Sequence, residues 1–112
     1  MQLFNLREHY SEKYQEFILG SAATGRHSVY LVYGELAKDA SKAMAPDGHD
    51  EILLLLSGAA ILEDGQQRIT LQPEQAVAIN PEESFTFTAL ADCRYLVAGT
   101  HTSAHAHHHH PS

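Results

Sequence analysis

Three polar side chains stand at alternate positions in the stretch DGHDEILLLLSG, Asp47 to Gly58: Asp47, His49 and Glu51. Two carboxylates and an imidazole are donor types that iron, manganese, nickel and zinc all accept. In an extended chain the period of two puts the three on one face. Alternate side chains stand roughly 6.5–7 Å apart along a strand, so one strand rarely encloses a metal alone. A further donor must come from elsewhere, and His27 and His101 are the candidates outside the C-terminal tract. A second reading competes. In it Asp47 and Asp50 belong to a turn, and His49 and Glu51 bond each other or the backbone at the end of a strand.

The C-terminus, THTSAHAHHHHPS, is the other concentration of metal-binding side chains, with His101, His105, His107, His108, His109 and His110. Neutral imidazoles in such tracts bind nickel, zinc or copper. The run of four is interrupted upstream by Ala106 and followed by Pro111 and Ser112, unlike a six-histidine purification tag, and so reads as encoded. Either the tract loads, stores or buffers a transition metal, or it is a tail whose metal affinity is incidental.

The elements that position these groups read as short strands. Residues 1–14 form an N-terminal arm, a loop or a single helical turn behind Asn5. Gln15 to Leu19 is a first strand, and Gly20 to Gly25 is turn-rich. Arg26 to Leu36 alternates, with Val29, Leu31 and Tyr33 on one face and Tyr30 and Val32 on the other; Gly34 marks a bulge or a close approach. Lys38 to Pro46 reads as a loop of small and polar residues. Ile52 to Leu56 is apolar on both parities, which requires burial on both sides, in a barrel wall or under a subunit interface. Asp64-Gly65 is the strongest hairpin signal. Gln67 to Leu71, Ala76 to Ile79, Ser84 to Ala89 and Arg94 to Gly99 follow as strands, with turns at Pro73 and at Asn80 to Glu83. Such strands and turns specify an all-β barrel or sandwich. Phe85, Phe87, Tyr30, Tyr33 and Tyr95 are candidates to line a pocket for a small ring-bearing ligand, the competing role being core packing.

Composition sets the outer bounds. The 112 residues make one domain, with 44% apolar and 19% charged side chains. Seven basic against fourteen acidic residues give a net charge of −7, which repels nucleic acid and anionic lipid. No apolar run approaches the length of about 18 residues that a membrane span needs. MQLFNLREHY has no signal-peptide pattern, so a cytoplasmic location is expected. The single cysteine, Cys93, leaves no internal disulfide, and no phosphate loop, dinucleotide fingerprint or nucleophile elbow is present.

Glu51, six residues and Gly58, followed by a hairpin and further alternating strands, resemble the first signature of the cupin superfamily. The resemblance covers residues 27 to 99. It implies a small antiparallel barrel of the RmlC-like type, a double-stranded β-helix or jelly roll, here of residues 15–100 between the arm and the tail 101–112. The signature's two histidines fall on Ala45 and Asp47, and the five marked positions of the second signature fall on Glu74, Asn80, Glu82, Phe85 and Ala89. None of these matches. Phe85 stands where the third metal histidine would be, and a phenyl ring offers no lone pair, so the family's three-histidine, one-carboxylate centre cannot form.

The expectation is a barrel that binds a small molecule, or a divalent metal such as nickel, zinc, iron or manganese, through an altered site. Asp47, His49 and Glu51 are its candidate ligands. Two alternatives stand beside it. One is an enzyme of the family's dioxygenase or isomerase type with Glu51 or His49 as base or iron ligand, and the other is metal handling by the tail. A homodimer through the outer side of residues 52–56 is expected, with no nucleic-acid partner and no membrane partner.

Overall fold

The computed structural model describes residues 1–26 and 28–100. The strands are β1 (Glu16–Leu19), β2 (Val29–Leu36), β3 (Ser41–Met44), β4 (Asp50–Ser57), β5 (Ala60–Glu63), β6 (Arg68–Leu71), β7 (Ala76–Ile79), β8 (Phe85–Ala89) and β9 (Cys93–Thr100). Two short helices, α1 (Leu6–His9) and α2 (Ser21–Thr24), precede β1 and β2 respectively. The strands form two antiparallel sheets, one ordered β1-β2-β9-β4-β7 and the other β3-β8-β5-β6. This is the all-β architecture that the strand spacing predicts, in the jelly-roll form that the resemblance implies.

Alternation along the strands builds the core. On β4, Leu53 and Leu55 are fully buried while Ile52 is exposed, so odd-numbered residues face inward. Tyr95 and Val97 on β9 and Phe87 and Ala89 on β8 close over them, with Leu36, Leu62, Leu71 and Ile79 completing one cluster. Tyr30 and Val32 share the inner face of β2, and Val29, Leu31 and Tyr33 the outer, as the alternation requires.

Three local features depart from the sequence reading. Ser41–Met44 is a strand, not a loop: it pairs with β8 from Ser41↔Thr88 to Met44↔Phe85, and cross-strand pairing outweighs its weak intrinsic preference. Ser21–Thr24 makes a helical turn that ends at Gly25 in the left-handed region. The central strand starts at Asp50, because Asp47 (φ 55°) and Gly48 (φ 86°) are both left-handed and reverse the chain. That turn is held by hydrogen bonds from Gly48 N–H to the Pro81 carbonyl (3.0 Å) and from His49 N–H to the Pro46 carbonyl (3.1 Å).

Gly58, the glycine of the first signature, has a physical requirement. Its φ is 92°, and a Cβ there would lie 2.3 Å from the Asp92 carbonyl oxygen, where β4 gives way to β5 beside the start of β9. Both the backbone conformation and the close approach exclude a side chain. Gly58→Ala is expected to destabilise the barrel by about 3 kcal/mol in denaturant unfolding, combining strain and displacement; unchanged stability would show that the junction relaxes freely.

Candidate functional site

The inner face of the five-stranded sheet carries two polar rows separated by an apolar one. In the first, Glu51 on β4, Gly99 on β9 and Tyr30 on β2 are cross-strand neighbours. The Tyr30 ring lies across Gly99, where a Cβ would come within 2.4 Å of it, and its hydroxyl donates a hydrogen bond to Glu51 Oε2. The middle row is Leu53, Val97 and Val32. In the third row, Tyr95 on β9 lies across Gly34 on β2 toward Glu16 on β1, and a Cβ at Gly34 would fall 2.2 Å from the ring. The same device therefore occurs twice: a glycine removes the intervening side chain so that a tyrosine reaches toward a carboxylate one strand further on.

The two ends differ in their electrostatics. Glu16 accepts a 2.7 Å ion pair from Lys42 Nζ on β3, bridging the two sheets, with both side chains about one quarter exposed. Glu51 has no cation against it among the described residues. Its partner is the neutral Tyr30 phenol. Burial, followed by the hydrogen bond to the Glu51 carboxylate and its charge, pushes the Tyr30 hydroxyl well above the ordinary phenolic range, so it remains a donor at neutral pH. Burial raises Tyr95 likewise, with the Glu16 charge next in effect. Tyr95 is 1% exposed, and its hydroxyl makes no hydrogen bond to another described residue.

Between these ends lies an open cavity of about 190 Å³, lined by Glu51, Tyr95, Val32, Val97, Met44 and the Glu16–Lys42 pair. Its walls are mainly apolar and its polar groups few, the usual character of a small-molecule site.

The candidate residues distribute unevenly around it. Glu51 faces the cavity. His49 lies outside the strand with its ring edge-on to Tyr30, centroids 5.6 Å apart, and Asp47 is exposed in the turn. Tyr95 lines the cavity, whereas Phe87 is fully buried behind it with ring centroids 4.9 Å apart. Phe85 lines a separate recess of about 30 Å³ with Leu62, Val77 and Ile79, room for about one water. His27, His101 and the tail histidines His105, His107, His108, His109 and His110 lie outside the described residues. Sequence reasoning named Tyr30 as a pocket candidate beside its core-packing role but missed Lys42 and Glu16 as site residues; the signal for the tyrosine contacts was a pair of glycines inside strong strands, of which only Gly34 drew notice.

The arrangement of two antiparallel sheets with Glu51 on the inner face of a central strand decides the comparison with solved structures. The barrel has a cupin fold. A cupin 2 conserved barrel domain protein from Salinispora arenicola superposes with a TM-score of 0.75 at 14% identity, over 93% of this chain and 92% of that one. Ectoine synthase from P. lautus gives 0.73 at 16% identity, over 97% and 84%. A cupin superfamily protein from Desulfitobacterium hafniense gives 0.64 at 18% identity, over 77% of each chain. No family model and no curated protein matches the sequence. At these identities the likeness shows the fold, while function has to be argued from the site.

The cupin metal centre does not fit this donor set. Of its four protein ligands only the carboxylate, Glu51, is present, and among the described residues no three His, Cys, Asp or Glu side chains are grouped so as to hold a metal ion. No helix among the described residues is long and apolar enough to cross a membrane.

Proposed function

We propose that this cupin-fold chain binds a small organic molecule in the barrel cavity beside Glu51. The observation that carries the reading is the cavity itself, open to solvent and walled by Val32, Val97 and Met44 between two polar ends. The solved neighbours include a protein named as a synthase alongside others named only for their fold, so the architecture accommodates both binding and catalysis. Here the chemistry at hand is that of recognition: a carboxylate oriented by a phenol, a second phenol, and an ion pair at the rim. Val32→Phe fills the cavity from the middle row without adding a polar atom. Saturation-transfer NMR with a panel of small organic molecules is expected to find binders of the wild type that are lost in Val32→Phe, with circular dichroism unchanged. An empty screen, or binders indifferent to the substitution, would overturn the cavity reading.

We also propose that the chain forms a homodimer through the outer face of the five-stranded sheet. Two apolar rows cross it, Leu31–Ala98–Ile52–Ala78 and Leu96–Leu54–Ala76, the second ending on β2 at Tyr33, which the chain itself already buries. Ile52 is 52% exposed and Val29 61%, on strands whose other face is core. That much apolar surface on a central strand is covered at little cost by a second copy presenting the same face. Light scattering coupled to size exclusion is expected to give a dimer that Ile52→Asp converts to folded monomer; a wild-type monomer, or a dimer unaffected by the substitution, would contradict this interface.

A further inference from the structure

Resting on the cavity reading above, we infer that the ligand is a small organic cation, an amine with an apolar body, whose ammonium group binds Glu51. Three observations converge on this class. First, the charges lining the cavity are those of Glu16, Lys42 and Glu51. Lys42 and Glu16 compensate each other at 2.7 Å, so the cavity keeps the one negative charge of Glu51. Second, that carboxylate is half-buried and receives a single neutral donor, Tyr30, among the described residues. An ionised carboxylate has room for about four hydrogen bonds, and a charged donor is about twice as strong a partner as a neutral one. Third, the surface leading inward from Glu51 is apolar, formed by Val97, Val32 and Met44, and ends at Tyr95, whose hydroxyl makes no hydrogen bond to another described residue. A ligand satisfying all three has a cationic head, an aliphatic body and either no polar tail or one that accepts a hydrogen bond from Tyr95.

The same geometry separates this ligand from the other species that a lone carboxylate attracts. A transition metal needs about four donors, and the described residues bring only one of its usual types to the cavity. A small anion would meet the Glu51 charge, and the Lys42 ammonium on the cavity wall is already engaged by Glu16. An ammonium group needs acceptors in number, not a coordination sphere, and its three donors suit a carboxylate that receives a single neutral donor from the described residues.

Calorimetric titration of the full chain with n-butylammonium, 1-butanol and butyrate, which share one carbon skeleton, tests the assignment. The wild type is expected to bind the ammonium at least about tenfold more tightly than either isostere, and Glu51→Gln to remove about that factor while folding normally. Preference for butanol or butyrate, lost in Val32→Phe but kept in Glu51→Gln, would overturn the cationic class and leave the cavity reading standing. Butylammonium binding that survives both substitutions would place it elsewhere on this acidic protein and overturn the inference. No binding of any of the three would overturn it as well, and the broader panel with Val32→Phe then decides the cavity reading separately. If Glu51→Gln were to unfold, the three isosteres on the wild type decide alone: butanol or butyrate binding as tightly as the ammonium would contradict a role for charge.

Discussion

A residue on a central strand has no choice of face once its neighbours are committed to the core. Glu51 shares its parity with Leu53 and Leu55, both fully buried, so its carboxylate enters the barrel with them. A carboxylate brought into an apolar interior must be hydrogen-bonded or neutralised. Tyr30 meets that need from two strands away, and it can do so because Gly99 on the intervening strand carries no side chain. The geometry of the cavity follows from this, since the phenol fixes one carboxylate oxygen of a side chain that lines the cavity with Val97 and Met44.

The tyrosine-over-glycine device also explains how the sheet tolerates glycine in its interior. Glycine weakens a strand through entropy and lost packing. At Gly34 and Gly99 the missing packing is replaced by a ring from the neighbouring strand, buried to 1% exposure for Tyr95 and 9% for Tyr30. Strain is accepted at another position: Glu74, in the turn before β7, adopts a φ of 72°, a left-handed conformation that costs a non-glycine residue.

Much of this was legible in the sequence, for identifiable reasons. The barrel could be read because its signals are local: Asp64-Gly65 forms its hairpin with the Asp64 carboxylate accepting from the Gln66 and Gln67 amides, and alternation within β2 and β4 assigns faces directly. Glu51 could be read because it lies inside the strand. Asp47 and His49 looked equivalent to it only while the strand was taken to begin early; it begins at Asp50, His49 stands just outside it, and Asp47 is itself one of two consecutive left-handed residues in the turn before it. β3 was hidden because its stability comes from β8, more than forty residues away. Lys42 and Glu16 escaped for the same reason, and Tyr30 was read as a pocket candidate without its carboxylate partner: each acts through a residue that only the sheet order brings near.

The central claim is that Tyr30 donates to Glu51 inside the barrel and so presents the carboxylate to the cavity. NMR of the Tyr30 hydroxyl proton at neutral pH tests this most directly. The account predicts a resonance protected from exchange with water and showing a nuclear Overhauser contact to the Glu51 side chain. A Tyr30 hydroxyl exchanging as freely as that of the exposed Tyr14, with no contact to Glu51, would contradict it.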